Sequence, residues 1–162
     1  MTDVAINQET KGFQRSAILR VASVASTYLL AVYIAHTFIK YLPFKFAPAA
    51  DVNPIFKTLE AWSGLSWVEP DFRFFTGGVE TLAAVLLFVP GLQLVGALLT
   101  LGITGTAFLL HLGPIGFDGF YGSLATEAAI CFTIAAWITW VRRRELPGLV
   151  RTLLIDRTLT KR

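Results

Sequence analysis

The chain has 162 residues, of which 54% are hydrophobic and only 15% are charged. A soluble domain carries about 25% charged residues, so the composition excludes an ordinary soluble enzyme, and it is too hydrophobic for a disordered regulator. The net charge of +3 comes from basic clusters beside apolar runs, as in membrane flanks, and not from a nucleic-acid-binding surface. The single cysteine excludes an intrachain disulfide and a cysteine-cluster metal site. We predict one membrane domain over residues 1–162, with the lipid bilayer as a partner and no nucleic-acid partner.

Four apolar segments follow one another along the chain, at about 16–39, 74–89, 92–112 and 121–141. A membrane-crossing helix needs roughly 20 residues, and lipid offers the backbone no hydrogen-bond partners, so all four segments are predicted to be helices. The second segment is the shortest and ends at Pro90-Gly91, which predicts a tight hairpin with the third. The expected fold class is an all-α membrane protein, a four-transmembrane-helix bundle.

The basic residues predict the orientation of these segments. Ten of the fourteen Lys and Arg residues precede or open the first segment or follow the fourth. The positive-inside rule therefore places both termini in the cytoplasm. The polar lead is too long, and the first apolar run too extended, for a secretory signal peptide.

Two further segments are predicted to lie on the membrane surface. Asn53 and Pro54 are typical of an N-cap and a first helical position, and Phe56, Leu59 and Trp62 follow at helical spacing. This pattern predicts an interfacial helix in the first outer loop. In the basic tail, 142–162, leucines alternate with arginines, which predicts a C-terminal amphipathic helix on anionic lipid. The alternative for the tail is a solvated basic segment.

Each apolar segment contains one histidine or glutamate, in the order His36, Glu80, His111 and Glu127. Such groups are costly in lipid and usually face a partner or a cavity. With a rise of about 1.5 Å per residue, all four fall within roughly 10 Å of the outer surface. We therefore expect them to meet in one pocket near the periplasmic face.

Neighbouring polar residues extend this predicted pocket. Tyr33, His36 and Lys40 lie on one helical face at i, i+3 and i+7, and Ser123 lies one turn before Glu127. No catalytic residue and no metal ligand is assigned. The candidate ligand-binding residues are Tyr33, His36, Lys40, Glu80, His111, Ser123 and Glu127.

The constellation leaves several functions open. Two carboxylates and two imidazoles can form a structural network that holds the helices together. They can also bind a quinone head group, because histidine titrates near neutral pH, aromatic residues surround the site, and Lys40 or Lys45 is available to stabilise an anionic quinol. A metal ion held by the two histidines and two glutamates, or a haem held by His36 and His111, ranks lower. Transport ranks last. Nucleotide-binding and hydrolase motifs do not occur, so a stand-alone enzyme is not expected.

The sequence resembles the DoxX-like family at four places. They are the run Phe75-Thr76-Gly77-Gly78-Val79-Glu80, the run Gly96-Ala97-Leu98-Leu99, His111 at the end of the third apolar segment, and the segment Phe38-Ile39-Lys40. The resemblance covers about 20–142 and implies a four-helix bacterial inner-membrane protein. Some members are the small membrane subunit of a thiosulfate:quinone oxidoreductase, and others associate with redox proteins. The positions carried over are Lys40, Glu80 and His111. The tryptophan-bearing outer loop departs from the shortest members.

The function expected from residues and resemblance together is that of a small accessory membrane subunit of a quinone-linked redox system. Its partner would be another membrane or periplasmic redox protein, or a second copy of the chain. A quinone is the first candidate for a cofactor and haem the second. The alternative is a non-catalytic membrane scaffold whose His/Glu network is structural.

Overall fold

The computed structural model describes residues 2–48 and 50–147, and over these residues it contains helices and turns but no strand. This confirms the predicted all-α class. Single π-helical turns, Val68–Phe72 and His111–Ile115, precede the third helix and follow the fourth, and a 3-10 turn, Arg143–Glu145, follows the fifth. The five helices are α1 (Thr2–Lys45), α2 (Pro54–Ser63), α3 (Arg73–Leu86), α4 (Gln93–Leu110) and α5 (Phe120–Arg142).

Within the described part of the chain, three helical stretches are long and apolar enough to cross a membrane, namely Gln14–Lys45, Gln93–Ile115 and Phe120–Glu145. They correspond to the first, third and fourth predicted segments and mark the chain as a membrane protein by composition. The second segment forms α3, whose 14 residues span about 21 Å, less than the roughly 30 Å of a hydrocarbon core. It is shorter than predicted because the helix ends at Leu86 and the chain turns through Gly91, where φ is +83°.

The four long helices enclose a common interior, because α3 packs against α1 and α4, and α5 packs against α4 and α1. Small side chains fill much of this interior and allow close approach of the helices. At Gly96 of α4 a Cβ atom would lie 2.7 Å from the backbone nitrogen of Leu87, so no side chain fits there. We call the following group the small-residue core: Ala31, Ala35, Ala83, Ala84, Gly96, Ala97, Cys131 and Ala135.

Helix α1 continues beyond the predicted end of the first segment, at 39, and reaches Lys45. The last carbonyl groups of a helix have no partner within it. Here the fully buried side chain of Arg73 donates hydrogen bonds to the carbonyl oxygens of Phe44 and Lys45, both at 3.2 Å, and of Ala47 at 3.1 Å. As a result, Lys45 belongs to the helix and not to a loop.

Helix α2 has the caps that its sequence predicts. The Asn53 side chain accepts a hydrogen bond from the backbone N–H of Ile55 at 3.0 Å, and Gly64, with φ of +72°, ends the helix. Its buried residues, Phe56 and Leu59, lie on the side that contacts the two π-helical turns. Helix α2 therefore covers the neighbouring ends of α3 and α4. The predicted C-terminal amphipathic helix follows residue 147 and lies outside the described residues.

Candidate functional site

A cavity of about 710 Å³ lies where α1 and α4 end and where α3 and α5 begin, beneath α2. Its volume falls within the range of about 300–1,000 Å³ typical of small-molecule sites. Most of its wall is apolar, and seven aromatic rings contribute to it. The rings are those of Phe38, Tyr41, Phe44, Phe56, Phe72, Phe75 and Phe120.

Lys45 and Glu80 form an ion pair in this wall, with 2.7 Å between Nζ and Oε1. Only 17% and 10% of the two side chains are exposed. The ammonium also donates to the hydroxyl of Thr76 at 3.4 Å and lies 5.3 Å from the centre of the Phe56 ring. The second oxygen of Glu80, Oε2, is buried and has no hydrogen-bond partner in the described part of the chain. The pair joins α1 to α3 and leaves acceptor capacity on the carboxylate.

Glu127 forms a second ion pair across the helices, with 2.8 Å between its Oε1 atom and the Nζ atom of Lys40. This pair is more exposed than the first, at 48% for Lys40 and 24% for Glu127. Glu127 lines the cavity, whereas the Lys40 ammonium lies over the ring of Tyr41, 4.9 Å from its centre. The Oε2 atom of Glu127, like that of Glu80, has no partner among the described residues.

His111 is buried in the wall and opens the π-helical turn that follows α4. Its Nδ1 atom lies 2.9 Å from the carbonyl oxygen of Gly116. Because a carbonyl oxygen only accepts hydrogen bonds, we assign the ring proton to Nδ1. The Nε2 atom of the neutral ring is then an acceptor. The turn thus orients the imidazole through its Nδ1–H group.

The predicted pocket is assembled only in part. Glu80, His111 and Glu127 line one cavity, and Lys40 reaches it through Glu127. His36 is exposed and does not line the cavity, since the inward face of α1 at this level carries Ala35, Thr37 and Phe38. The haem alternative requires the two histidines to share one cavity. They do not share it.

Tyr33 and Ser123 also lie outside the cavity. Tyr33 is exposed on α1, on the same side as His36. The hydroxyl of Ser123, exposed at the start of α5, donates to the carbonyl oxygen of Phe120 at 2.7 Å. Spacing along a helix gives the relative directions of side chains but not the rotation of the helix in the bundle. Spacing and depth along the chain therefore do not bring Tyr33, His36 or Ser123 into the cavity.

The charged groups pair differently from the expected His/Glu network. Each carboxylate pairs with a lysine of α1 and not with an imidazole. Lys40 and Lys45 are therefore already paired with carboxylates. Among the described residues, no group of three His, Cys, Asp or Glu side chains is placed to hold a metal ion.

Arg73 is the residue of the site that the sequence analysis did not identify. Its Nε atom lies 2.8 Å from Oε1 of Glu69, and both side chains are buried. Together with its hydrogen bonds to the end of α1, this pair holds Lys45 beside the cavity. The i, i+4 spacing of Glu69 and Arg73 before an apolar run was the available signal.

Comparison of the chain with protein-family models, curated proteins and solved structures gives no match. The helices therefore define a class, an all-helical protein of membrane-spanning composition. Any more specific function has to be inferred from the cavity.

Proposed function

We propose that the chain is a bacterial inner-membrane protein of the DoxX-like type that binds a quinone head group in the cavity. In this proposal it is a small accessory subunit of a redox system, with both termini in the cytoplasm. The observation that carries the proposal is the cavity of about 710 Å³ with mostly apolar walls and with Glu80, His111 and Glu127 in its lining.

The proposed topology has four crossings, with α3 as the second. Although α3 is short, it packs between α1 and α4, and a bilayer accommodates a short helix by local thinning at modest cost. In this topology α2 lies at the periplasmic interface, where the exposed indoles of Trp62 and Trp67 suit the head-group region. The arginines after α5 then lie on the cytoplasmic side.

The form of the cavity suits a flat, amphipathic ring. Aromatic walls pack against the ring, and a few polar groups orient its oxygens. Phe44, Phe75 and Phe120 line the cavity and are also exposed on the outer surface of the helices. A ligand dissolved in lipid would enter past these side chains.

The proposal is tested by titrating the purified chain in detergent with a short-chain quinone and following tryptophan fluorescence. The Trp67 ring lies 5.7 Å from the ring of Phe72, which lines the cavity. Trp137 and Trp140 lie towards the other end of α5. We expect saturable quenching of Trp67 above the unsaturable quenching that a quinone in the micelle causes.

The matched control for this titration is Trp67→Phe, which keeps an aromatic ring and the three remaining tryptophans. Saturable quenching should disappear in Trp67→Phe and persist in Trp137→Phe. Quenching that does not saturate in the parent chain, and is equal in both variants, would contradict the proposed site.

The second candidate is a non-catalytic scaffold, and the two ion pairs favour it. Lys45–Glu80 joins α1 to α3, and Lys40–Glu127 joins α1 to α5, so both pairs can serve to set helix positions. A scaffold binds no quinone, and its stability depends on these pairs. A pull-down in mild detergent helps to distinguish the two functions, because the accessory-subunit proposal requires a redox protein as the partner.

The orientation is tested with Ser63→Cys on α2 and Arg144→Cys after α5. The native Cys131 is fully buried, so the parent chain should not react with a maleimide. In intact bacterial cells, a membrane-impermeant maleimide should label Ser63→Cys and not Arg144→Cys. The reverse pattern would overturn the orientation.

A further inference from the structure

The strong hydrogen-bond donors of the cavity wall are already engaged. The Lys45 ammonium is directed to Glu80, Thr76 and the face of Phe56. The Nδ1–H group of His111 donates to Gly116. The Nδ2 amino group of Asn53 donates to the carbonyl oxygen of Phe44 at 3.5 Å. These are groups that can only donate, and each has a partner within the protein.

Two hydroxyl groups of the wall are engaged as donors in the same way. Thr76 donates to the carbonyl oxygen of Arg73 at 2.9 Å, and Thr104 donates to that of Thr100 at 2.7 Å. The other hydroxyls of the wall, on Thr37, Tyr41 and Thr106, both donate and accept. They adapt to either kind of ligand and do not discriminate.

The open positions are acceptors. Each ionised carboxylate offers about four lone-pair sites, and Glu80 and Glu127 each use one oxygen while the other has no partner among the described residues. Glu80 is the stronger case, because only 7% of the residue is exposed and a buried, unpaired acceptor is costly. The Nε2 atom of His111 is the third acceptor, since Nδ1 carries the proton.

The cavity has no net charge to attract an ion. Each carboxylate is matched by a lysine within 2.8 Å, so the two ion pairs carry no net charge. A charged ligand would have to be buried in a site whose charges are already paired, and burial of an unpaired charge is unfavourable. An uncharged ligand meets no such penalty.

We infer that the cavity selects an uncharged ligand that donates hydrogen bonds, that is, a phenol or the reduced quinol, over the corresponding quinone. The inference rests on the proposed function and specifies the redox form that is bound. Quinone oxygens only accept hydrogen bonds, whereas quinol hydroxyls donate to Glu80 and His111. Since each hydrogen bond to a charged group is worth about 1.5–3 kcal/mol, preference for the donor should be at least about tenfold.

The test uses 4-octylphenol and its methyl ether, 4-octylanisole, in which a methyl group replaces the donor hydrogen. Equilibrium dialysis of the full chain in detergent measures the affinity of each, with partition into empty micelles subtracted. Neither probe is redox-active under these conditions, so no oxidation during the measurement alters the comparison. We expect the phenol to bind at least about ten times more tightly than its methyl ether.

Variants then assign the preference to the site. Lys45→Met/Glu80→Leu removes both partners and keeps the charge balance, so the phenol preference should fall several-fold, with Glu127 and His111 left as acceptors. The matched control is Lys57→Met/Glu60→Leu, which removes an ion pair of 2.8 Å on α2 that does not line the cavity. If the first double variant does not fold, Glu80→Gln takes its place, since it keeps the size of the side chain and should reduce the preference several-fold.

The outcomes distinguish this inference from the proposal on which it rests. If the phenol and the anisole bind equally, or if the control pair removes the preference as well, the inference is overturned while quinone binding stands. If neither probe nor a short-chain quinone binds, both are overturned. Phenol preference that is reduced only in the cavity variants supports both.

Discussion

The two ends of the helix assembly are built on different principles. The small-residue core brings helix backbones together through alanine and glycine, and its closest approach is that of Gly96 to Leu87. At the cavity end, ion pairs and an arginine-bound helix terminus hold the same helices apart around a space of about 710 Å³. Close packing leaves no room for a ligand, whereas the cavity end needs directional contacts because it lacks that packing.

This difference suggests a division of labour. Dispersion contacts in the small-residue core depend on fit and have little directional content. Hydrogen bonds and ion pairs at the cavity end depend on geometry and place particular atoms. The core should therefore tolerate no added volume, and the cavity end should tolerate no lost partner. The following variants test that distinction.

Arg73→Met should have the largest effect. It leaves Glu69 as an uncompensated buried charge and leaves the carbonyl oxygens of Phe44, Lys45 and Ala47 without their donor. Breaking a buried ion pair costs about 3–5 kcal/mol, so thermal unfolding in detergent should shift strongly downward. Glu69→Gln/Arg73→Met should lose less, because no buried charge remains. Melting of Arg73→Met at the parent temperature would show that the end of α1 does not need this contact.

Gly96→Ala should cause the second-largest loss of stability. The added Cβ would lie 2.7 Å from the nitrogen of Leu87 and 3.0 Å from the carbonyl oxygen of Ala83. Backbone atoms cannot move aside as a flexible side chain can, so overpacking should cost about 1–3 kcal/mol. Gly102→Ala on the same helix is the control, because a Cβ atom there meets nothing within 4 Å. The substitution also replaces glycine, which is a poor helix former. Equal melting of the two variants would contradict the close approach of α3 and α4.

The two lysine–glutamate pairs should differ in coupling. Double-mutant cycles with Lys45→Met and Glu80→Gln, and with Lys40→Met and Glu127→Gln, measure each pair separately. The pair of Lys45 is enclosed, so its coupling should be about 1–3 kcal/mol. The pair of Lys40 is exposed, so its coupling should be smaller and should weaken with added salt. A larger coupling energy for Lys40–Glu127 than for Lys45–Glu80 would contradict the expectation that the enclosed pair contributes more to the cavity end.

The smallest effects should come from the predicted site residues that lie outside the cavity. Ligand affinity should change by no more than about 0.5 kcal/mol in each of three variants, His36→Gln, Tyr33→Phe and Ser123→Ala.

His111→Gln should weaken binding, because it removes the Nε2 acceptor in the wall. Weaker binding in His36→Gln than in His111→Gln, measured by the same fluorescence titration, would show that the ligand binds elsewhere.

Local features of the chain were predictable because they depend on neighbouring residues. Asn53 and Pro54 specify the start of α2 through a side-chain cap and a fixed φ angle. Pro90 and Gly91 specify the turn between α3 and α4. The third and fourth apolar segments match α4 and α5 closely, since composition alone decides which stretches are long and apolar enough to cross a membrane.

The amino-acid sequence by itself thus determined the helical class, the apolar segments and the caps, which are properties of composition and short-range spacing. Only the tertiary structure decided that His36 faces outward, that the carboxylates pair with lysines, and that Arg73 extends α1 to Lys45. The physical reason is that α1 and α5 are apolar around much of their circumference, so hydrophobicity does not specify which face turns inward. Their rotation is set by contacts between helices, and those contacts assemble the cavity.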